Sequence, residues 1–378
     1  MTVLRLGRLT GVALAGALAL TACGSDDTSA GGTETGSATG SASETTAAAA
    51  DCGSGDLKAE GSSAQKNAIE EVISTYAEVC SDVTVNYNPT GSGTGRKQFI
   101  AGQADWAGSD SALKTEAVDG VVEQTAADEA CGSPAWNIPM VTGPISVPFN
   151  VKGVDKLVLS PKVMADIFSG KIKTWNDPAI AKLNEGSTFP ATPIRVFFRT
   201  GESGTTENFT KYLKAAAPDA WTEEPSQKWA GTGEGRDGSS GVAESVKNTE
   251  GGITYVELSF SKDNQLKYAA VDNGSGPVEL TGESAGKAVA AAKVAGEGNN
   301  LALKLDYATK APGAYPIVLV TYEIVCSKNK DPEKGKAIKA FLKHFSSEET
   351  QTALEEIGYA PLPPEIATKV STAIDALA

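Results

Sequence analysis

With 378 residues, 40% of them hydrophobic and 21% charged, the chain is long enough for two domains with separate cores and has the make-up of a soluble globular protein. Its formal net charge of −14 argues against nucleic acid and anionic membrane as partners. A small anionic ligand stays possible, because a site can be locally positive or rich in dipoles.

Met1–Ala22 has a basic start (Arg5, Arg8), an apolar run Val12–Leu20 and then Leu20-Thr21-Ala22-Cys23. It reads as an export signal, too short to span a membrane. The last four residues resemble the lipobox of bacterial lipoproteins, which implies that Cys23 becomes the mature N-terminus and carries a lipid (diacylglycerol, with palmitate the expected acyl group). Loss of Arg5 and Arg8 takes the net charge from −14 to −16. Gly24–Ala50 has no large apolar residue and reads as a flexible tether; Cys23 and the tether together cover 23–51. Export leaves four cysteines, Cys52, Cys80, Cys131 and Cys326, in an oxidising compartment, so two disulfides are expected. Three pairings are open. Cys52 and Cys80 each precede an expected strand, and neighbouring parallel strands start at one sheet edge, which makes Cys52–Cys80 geometrically natural and leaves Cys131–Cys326.

The folded part begins with a strand near Leu57, a Gly61-Ser62-Ser63 turn and a helix with Ile69, Val72, Ile73, Tyr76 and Val79 on one face. A strand at Val83–Tyr87 runs into Gly91-Ser92-Gly93-Thr94-Gly95 and a short helix from Arg96, with Arg96 and Lys97 read as exposed charges. Ala104–Gly108 is expected to turn toward Ser109-Asp110. Ala135–Val151 reads as an extended segment leaving one sheet for another, with a bend at Gly143-Pro144. A strand at Leu157–Leu159 and a helix at Pro161–Phe168 follow. Ile194–Phe198 is a buried strand, Arg199 ends it, Thr200–Thr206 is small and polar, and Phe209, Tyr212 and Leu213 recur at helical spacing. Trp229–Ser240 contains a formal GxGxxG with no apolar strand before it and reads as a loop. Beyond it come a helix at Gly241–Asn248, a strand at Gly252–Leu258 and a mostly helical Leu280–Asn300. Ala314–Cys326 is the longest β-branched run and reads as a central strand; helices at Lys334–Phe345 and Gln351–Ile357 close the first domain.

Catalysis finds little support. The single histidine, His344, sits at a helix end beside Phe345, no paired set of carboxylates stands out at a strand end, and no CxxC metal spacing occurs. What recurs is a strand–Gly/Ser–helix junction, at Gly61–Ala64, Gly91–Gly95 and Arg199–Thr206. Each leaves helix N–H groups unpaired at the positive end of a dipole, a ready anion site. Arg199 adds a two-pronged donor. Taken alone, the Arg199 stretch fits an N-capped helix with a surface salt bridge equally well.

Over Leu57–Pro364 the chain resembles the PstS-type phosphate-binding proteins of bacterial ABC transporters. The resemblance rests on GSSA at Gly61–Ala64, TGSGTGRKQFIAGQADWAGSD at Thr90–Asp110 and RTGESGTT at Arg199–Thr206. Further matches are the segment from Leu159, GGITYVE from Gly251 and AYPIVLVTYEIV from Ala314. It implies an α/β, two-lobed, periplasmic-binding-protein-like fold with two crossover segments at the hinge, lobe I being 52–142 plus 316–378 and lobe II 143–315. It also implies a phosphate site of Ser63, Ala64 (by its N–H), Ser92, Asp110, Arg199, Ser203, Gly204 and Thr205, with Asp110 also pairing with Arg199. Asp110 would accept the proton of phosphate and reject sulfate, which has none. Many members carry an acidic residue where Gly201 stands here, with Glu202 adjacent as a candidate substitute. The expectation is a monomeric, cofactor-free binding protein, anchored by lipid to the outer face of the cell membrane and delivering inorganic phosphate to a permease. The alternatives are another oxyanion or, in a different class, a secreted phosphatase.

Overall fold

The computed structural model describes residues 52–118 and 120–378; the expected export signal, Cys23 and the tether lie outside the described residues. β1 (Gly55–Gly61) buries Leu57 and Ala59 in alternation, and α1 (Lys66–Val79) buries Ala68, Ile69, Val72 and Tyr76 on one face. β2 (Val83–Asn88) and α2 (Ser92–Ile100) follow. The next segment departs from expectation. Trp106–Ser109 is not a turn but a fully buried strand, β3, whose small residues hide it from pattern reading. α3 (Glu123–Cys131) leads into β4 (Ala135–Ser146), and β4 runs on through Val147 into β5 (Pro148–Asn150). The change of sheet therefore falls at Val147, and the chain stays in strand through Gly143 and Pro144.

β6 (Val158–Leu159) precedes α4 (Pro161–Phe168), where the Ser160 hydroxyl accepts from Val163 N–H and Pro161 fills a first-turn position that needs no N–H. α5 (Pro178–Leu183) is capped by Asp177 in the same way. β7 (Arg195–Arg199) and α6 (Gly204–Ala216) come next. The expected loop at Trp229–Ser240 holds a strand, β8 (Glu234–Arg236), and the start of α7 (Gly238–Lys247). The strand's residues, Glu234, Gly235 and Arg236, carry no apolar signal, because it is an edge strand. The expected strand at Gly252–Leu258 is split into β9 (Gly252–Ile253) and β10 (Val256–Glu257), in different sheets. α8 (Leu258–Asp263), β11 (Lys267–Tyr268), β12 (Ala270–Asp272) and β13 (Pro277–Val278) lead to α9 (Gly282–Ala290). The helix ends there, and β14 (Lys293–Val294) pairs with β15 (Leu303–Lys304), so Leu280–Asn300 is only partly helical. β16 (Val318–Cys326), α10 (Pro332–Phe345), α11 (Glu348–Glu356) and α12 (Pro364–Asp375) complete the chain.

Two sheets organise these elements. The larger runs β10-β4-β16-β3-β1-β2, with β1 parallel to β2 and β3, and β16 antiparallel to β3 and β4. The second runs β11-β5-β9-β7-β8, with β7 parallel to both β8 and β9. The chain passes between the sheets where β4 becomes β5 and on its return to β16. It also visits the larger sheet briefly at β10, which pairs with β4 between the second-sheet strands β9 and β11. Both disulfides form as the strand-start argument favours: Cys52–Cys80 beside the starts of β1 and β2, and Cys131–Cys326 joining the ends of α3 and β16. Beneath α6, Phe209 stacks on Tyr255 with ring centroids 4.5 Å apart, and Trp229 packs against both. This aromatic block fixes the start of α6 relative to β9.

Candidate functional site

The carboxyl ends of β1 and β3 bring Ser62 and Asp110 together, in keeping with ligand sites at strand ends of open α/β sheets. The Asp110 carboxylate is buried and takes three hydroxyl donors: Ser62 at 2.6 and 2.7 Å, Thr321 at 2.8 Å and Ser92 at 3.0 Å. Ser92, the first residue of α2, also accepts from Asp110 N–H at 3.1 Å. Burial pushes the Asp110 carboxyl up, the Ser62 hydroxyl counters it and the charge of Glu257 adds to it; the balance lies at about 6. The Ala64 N–H donates to Ser62 Oγ at 3.0 Å, so its expected donation to a ligand requires Ser62 to let go.

Across from this cluster, Arg199 ends β7 and is 4% exposed. Its Nη1 donates to Ser239 Oγ at 2.9 Å and reaches Thr205 Oγ1 at 3.5 Å; its Nε has no partner. The expected second role of Asp110 as ion-pair partner of Arg199 is not what the side chains do, since Asp110 bonds hydroxyls and so does Arg199. Nor does Glu202 substitute for the acidic neighbour. Its carboxylate lies on Lys97 at 2.6 and 2.7 Å, while Gly201, at φ +75°, adopts a left-handed turn that favours glycine and has open space beside it. Lys97 is exposed as expected, but Arg96 is 2% exposed, bonded to Glu123 at 2.9 Å and Ser109 at 2.9 Å. It pins α2 to β3 and the start of α3.

The turn after Arg199 makes an N-cap at Ser203, whose hydroxyl accepts from Thr206 N–H at 3.2 Å. Gly204 and Thr205 stand in the first turn of α6, where backbone N–H groups lack helical partners. Thr205 donates its hydroxyl proton to Glu257 at 2.6 Å, leaving the Thr205 oxygen as an acceptor. The other Glu257 oxygen is buried without a partner. Gly204 is where the two halves touch: a Cβ there would sit 2.3 Å from Ser92 Oγ and 2.5 Å from Asp110 Oδ2. Further along α6, Asn208 donates to the Asp110 carbonyl at 2.8 Å and accepts from Tyr307. Glu207 takes Ser111 at 2.8 Å, Lys211 at 2.9 Å and Lys114. Burial pushes the Glu207 carboxyl up, but the charges of Lys211 and Lys114 outweigh it and hold it well below the usual range.

The eight expected site residues thus meet around one buried locus, with Ser63 bonded to Ser239 at 3.1 Å. Four more join them without having been singled out: Ser62, Ser239, Glu257 and Thr321. Ser239 lies just past the glycine that closes the GxGxxG match, and the missing apolar strand concealed its helix start. Thr321 had a usable signal. It and Glu323 are polar residues two apart in a buried strand, so both side chains fall on one face of an otherwise apolar run. Glu323 is fully buried, and burial, opposed by Gln65 and Trp106 beside it, pushes its carboxyl up to about 8. The arrangement can hold a small tetrahedral anion away from water, with fixed positive charge on one side and a proton acceptor on the other.

Residues 43–349 match the family model of the PBP superfamily domain. The chain is 44% identical over 380 residues to the phosphate-binding protein PstS 3 of Mycobacterium tuberculosis, covering 99% of both chains. It is 41% identical over 379 residues to PstS 2 of the same organism, again covering 99% of both. Among solved structures, a high-affinity periplasmic phosphate-binding protein (PfluDING) bound with phosphate matches with a TM-score of 0.67 at 22% identity. That match covers 84% of this chain and 93% of the other, and likens the fold. The chain belongs to the PstS family of phosphate-binding proteins, two-lobed α/β substrate-binding proteins rather than enzymes.

Proposed function

We propose that this protein captures inorganic phosphate outside the cytoplasm and hands it to the permease of a phosphate ABC transporter. The observation that carries the reading is the pairing of a buried Asp110, held by three hydroxyl donors and no cation, with a buried Arg199 that has no carboxylate contact in the hydrogen-bonded set around it. An anion between them meets one full positive charge and one acceptor. The acceptor is repaid only if the anion brings a proton, as phosphate does near neutral pH and sulfate does not. Ser63, Ser92, Asp110, Arg199, Ser203, Gly204 and Thr205 form the ligand set, with Ala64 joining when Ser62 rotates.

Lobe I, 52–142 plus 316–378, carries the acceptor side, and lobe II, 143–315, carries the guanidinium side. The sheet membership of β1–β3, β16 and most of β4 against β5, β7, β8 and β9 supports this division, although 143–146 and β10 lie in the larger sheet. Phosphate would be buried by hinge closure about the β4–β5 passage and the approach to β16. Lipidation at Cys23 and the tether would hold a monomer at the outer face of the membrane, its only attachment there. Calorimetry on the purified chain tests the binding reading. Phosphate should bind and sulfate should not at pH 7.5, and Asp110→Asn should let sulfate in. Equal affinity for the two anions in the parent would sink the reading.

A further inference from the structure

Ser239 is fully buried in the first turn of α7 and lies beside both halves of the site. Its hydroxyl oxygen is 2.9 Å from Arg199 Nη1 and 3.1 Å from Ser63 Oγ. The helix start does not explain it: the N-cap is Asp237, whose side chain makes no capping bond, and Ser239 Oγ turns away to Arg199 and Ser63. A guanidinium can only donate, so Ser239 Oγ accepts from Arg199. Ser63 can aim its own proton at an anion while keeping its bond to Ser239 only if Ser239 donates to it.

We propose that Ser239 is a positioning residue of the phosphate site, the middle member of a series Arg199 N–H → Ser239 O–H → Ser63 O–H → anion. The inference rests on the phosphate reading above. Each bond in such a series polarises the next, so the Ser63 donor is strengthened by a charge it does not touch. The series also joins residues of the two sheets, β7–α7 on one side and the β1–α1 turn on the other. Because Ser239 is a neutral dipole, it fixes the guanidinium without neutralising it. A carboxylate in its place would pair with Arg199 and leave less charge for the ligand.

The test is phosphate calorimetry on the parent, Ser239→Ala, Ser63→Ala and the double variant, with Ser239→Gly as a second deletion of the hydroxyl should alanine disturb the turn. The parent curve reports on the phosphate reading by itself. With the parent binding, Ser239→Ala or Ser239→Gly should weaken phosphate by roughly ten- to a hundredfold, as expected when the Ser63 donor to a charged ligand loses the bond that aims it. On the Ser63→Ala background the same change should cost less than about threefold. A Ser239 variant that melts like the parent and binds phosphate as tightly overturns the inference while leaving the phosphate reading standing. A penalty equal on both backgrounds also overturns it, since Ser239 would then act independently of Ser63.

Discussion

The Asp110 side and the Arg199 side of the site are built from the same parts and do opposite work. Around Asp110, the hydroxyls of Ser62, Ser92 and Thr321 all donate inward, so a buried carboxylate is held by neutral dipoles. Around Arg199, the hydroxyls of Ser239 and Thr205 accept, and the guanidinium is likewise held by neutral dipoles. Neither charge is cancelled by its neighbour. The carboxyls Glu257 and Glu323 near the first side raise the cost of holding negative charge there, and the charge of each pushes the Asp110 carboxyl or is pushed by it. On the guanidinium side Glu257 is met only through Thr205, which donates to it and accepts from Arg199. On the proposed reading, one half supplies attraction and the other supplies discrimination.

The sharpest way to break this comparison is Arg199→Ala. Removing a buried charge that faces an anion should weaken phosphate by about a thousandfold or more in calorimetry. Binding within tenfold of the parent would mean that the helix starts, not the guanidinium, supply the attraction.

Glu323→Gln probes the crowded side through stability. Its folded carboxyl titrates near 8 instead of its ordinary 4.5, so the folded state holds the proton more tightly than the unfolded. That stability is present below 4.5 and is lost as pH rises through about 8. The glutamine variant lacks this loss and should be more stable than the parent at pH 8–9, by on the order of a few kcal/mol. Denaturant unfolding at pH 5 and pH 9 measures it, and a difference that does not grow with pH would remove Glu323 from the argument.

Gly204→Ala attacks the contact between the halves. Overpacking of this kind costs about 1–3 kcal/mol, so phosphate should weaken by roughly ten- to a hundredfold. Thermal melting of the ligand-free protein should shift little if the halves can part, whereas a large drop would mean that they cannot.

The discrimination half also predicts a pH effect. Above about 6, Asp110 is a carboxylate and repels sulfate; below it the protonated acid can donate instead. Sulfate affinity should rise by about tenfold between pH 7.5 and pH 5 in the parent and stay flat in Asp110→Asn. A flat parent would place the discrimination elsewhere. Lys97→Ala should matter least. Its pair with Glu202 is 65% exposed on the lysine side, and such pairs contribute about 0–1 kcal/mol, so phosphate binding should change by less than about threefold.

The sequence by itself determined the strong periodic elements and the chemistry at their ends. Apolar alternation in β1, the one-sided face of α1 and the β-branched run of β16 are local signals, and burial follows directly from them. The Gly/Ser turns after β1, β2 and β7 were legible because small residues at a strand-to-helix junction serve one physical need, backbone N–H groups left free. Arg199 stood at such an end, whereas Asp110 was marked by the family resemblance, its strand being missed. Only the tertiary structure decided what lies around them. β3 and β8 are strands because neighbours pair with them, not because their residues prefer it. Ser239 and Thr321 come from segments 40 and 211 residues away from their partners Arg199 and Asp110, distances at which no periodicity carries information. Whether a hydroxyl donates or accepts, and whether Glu202 faces Arg199 or Lys97, is settled by which charge the folded chain places beside it.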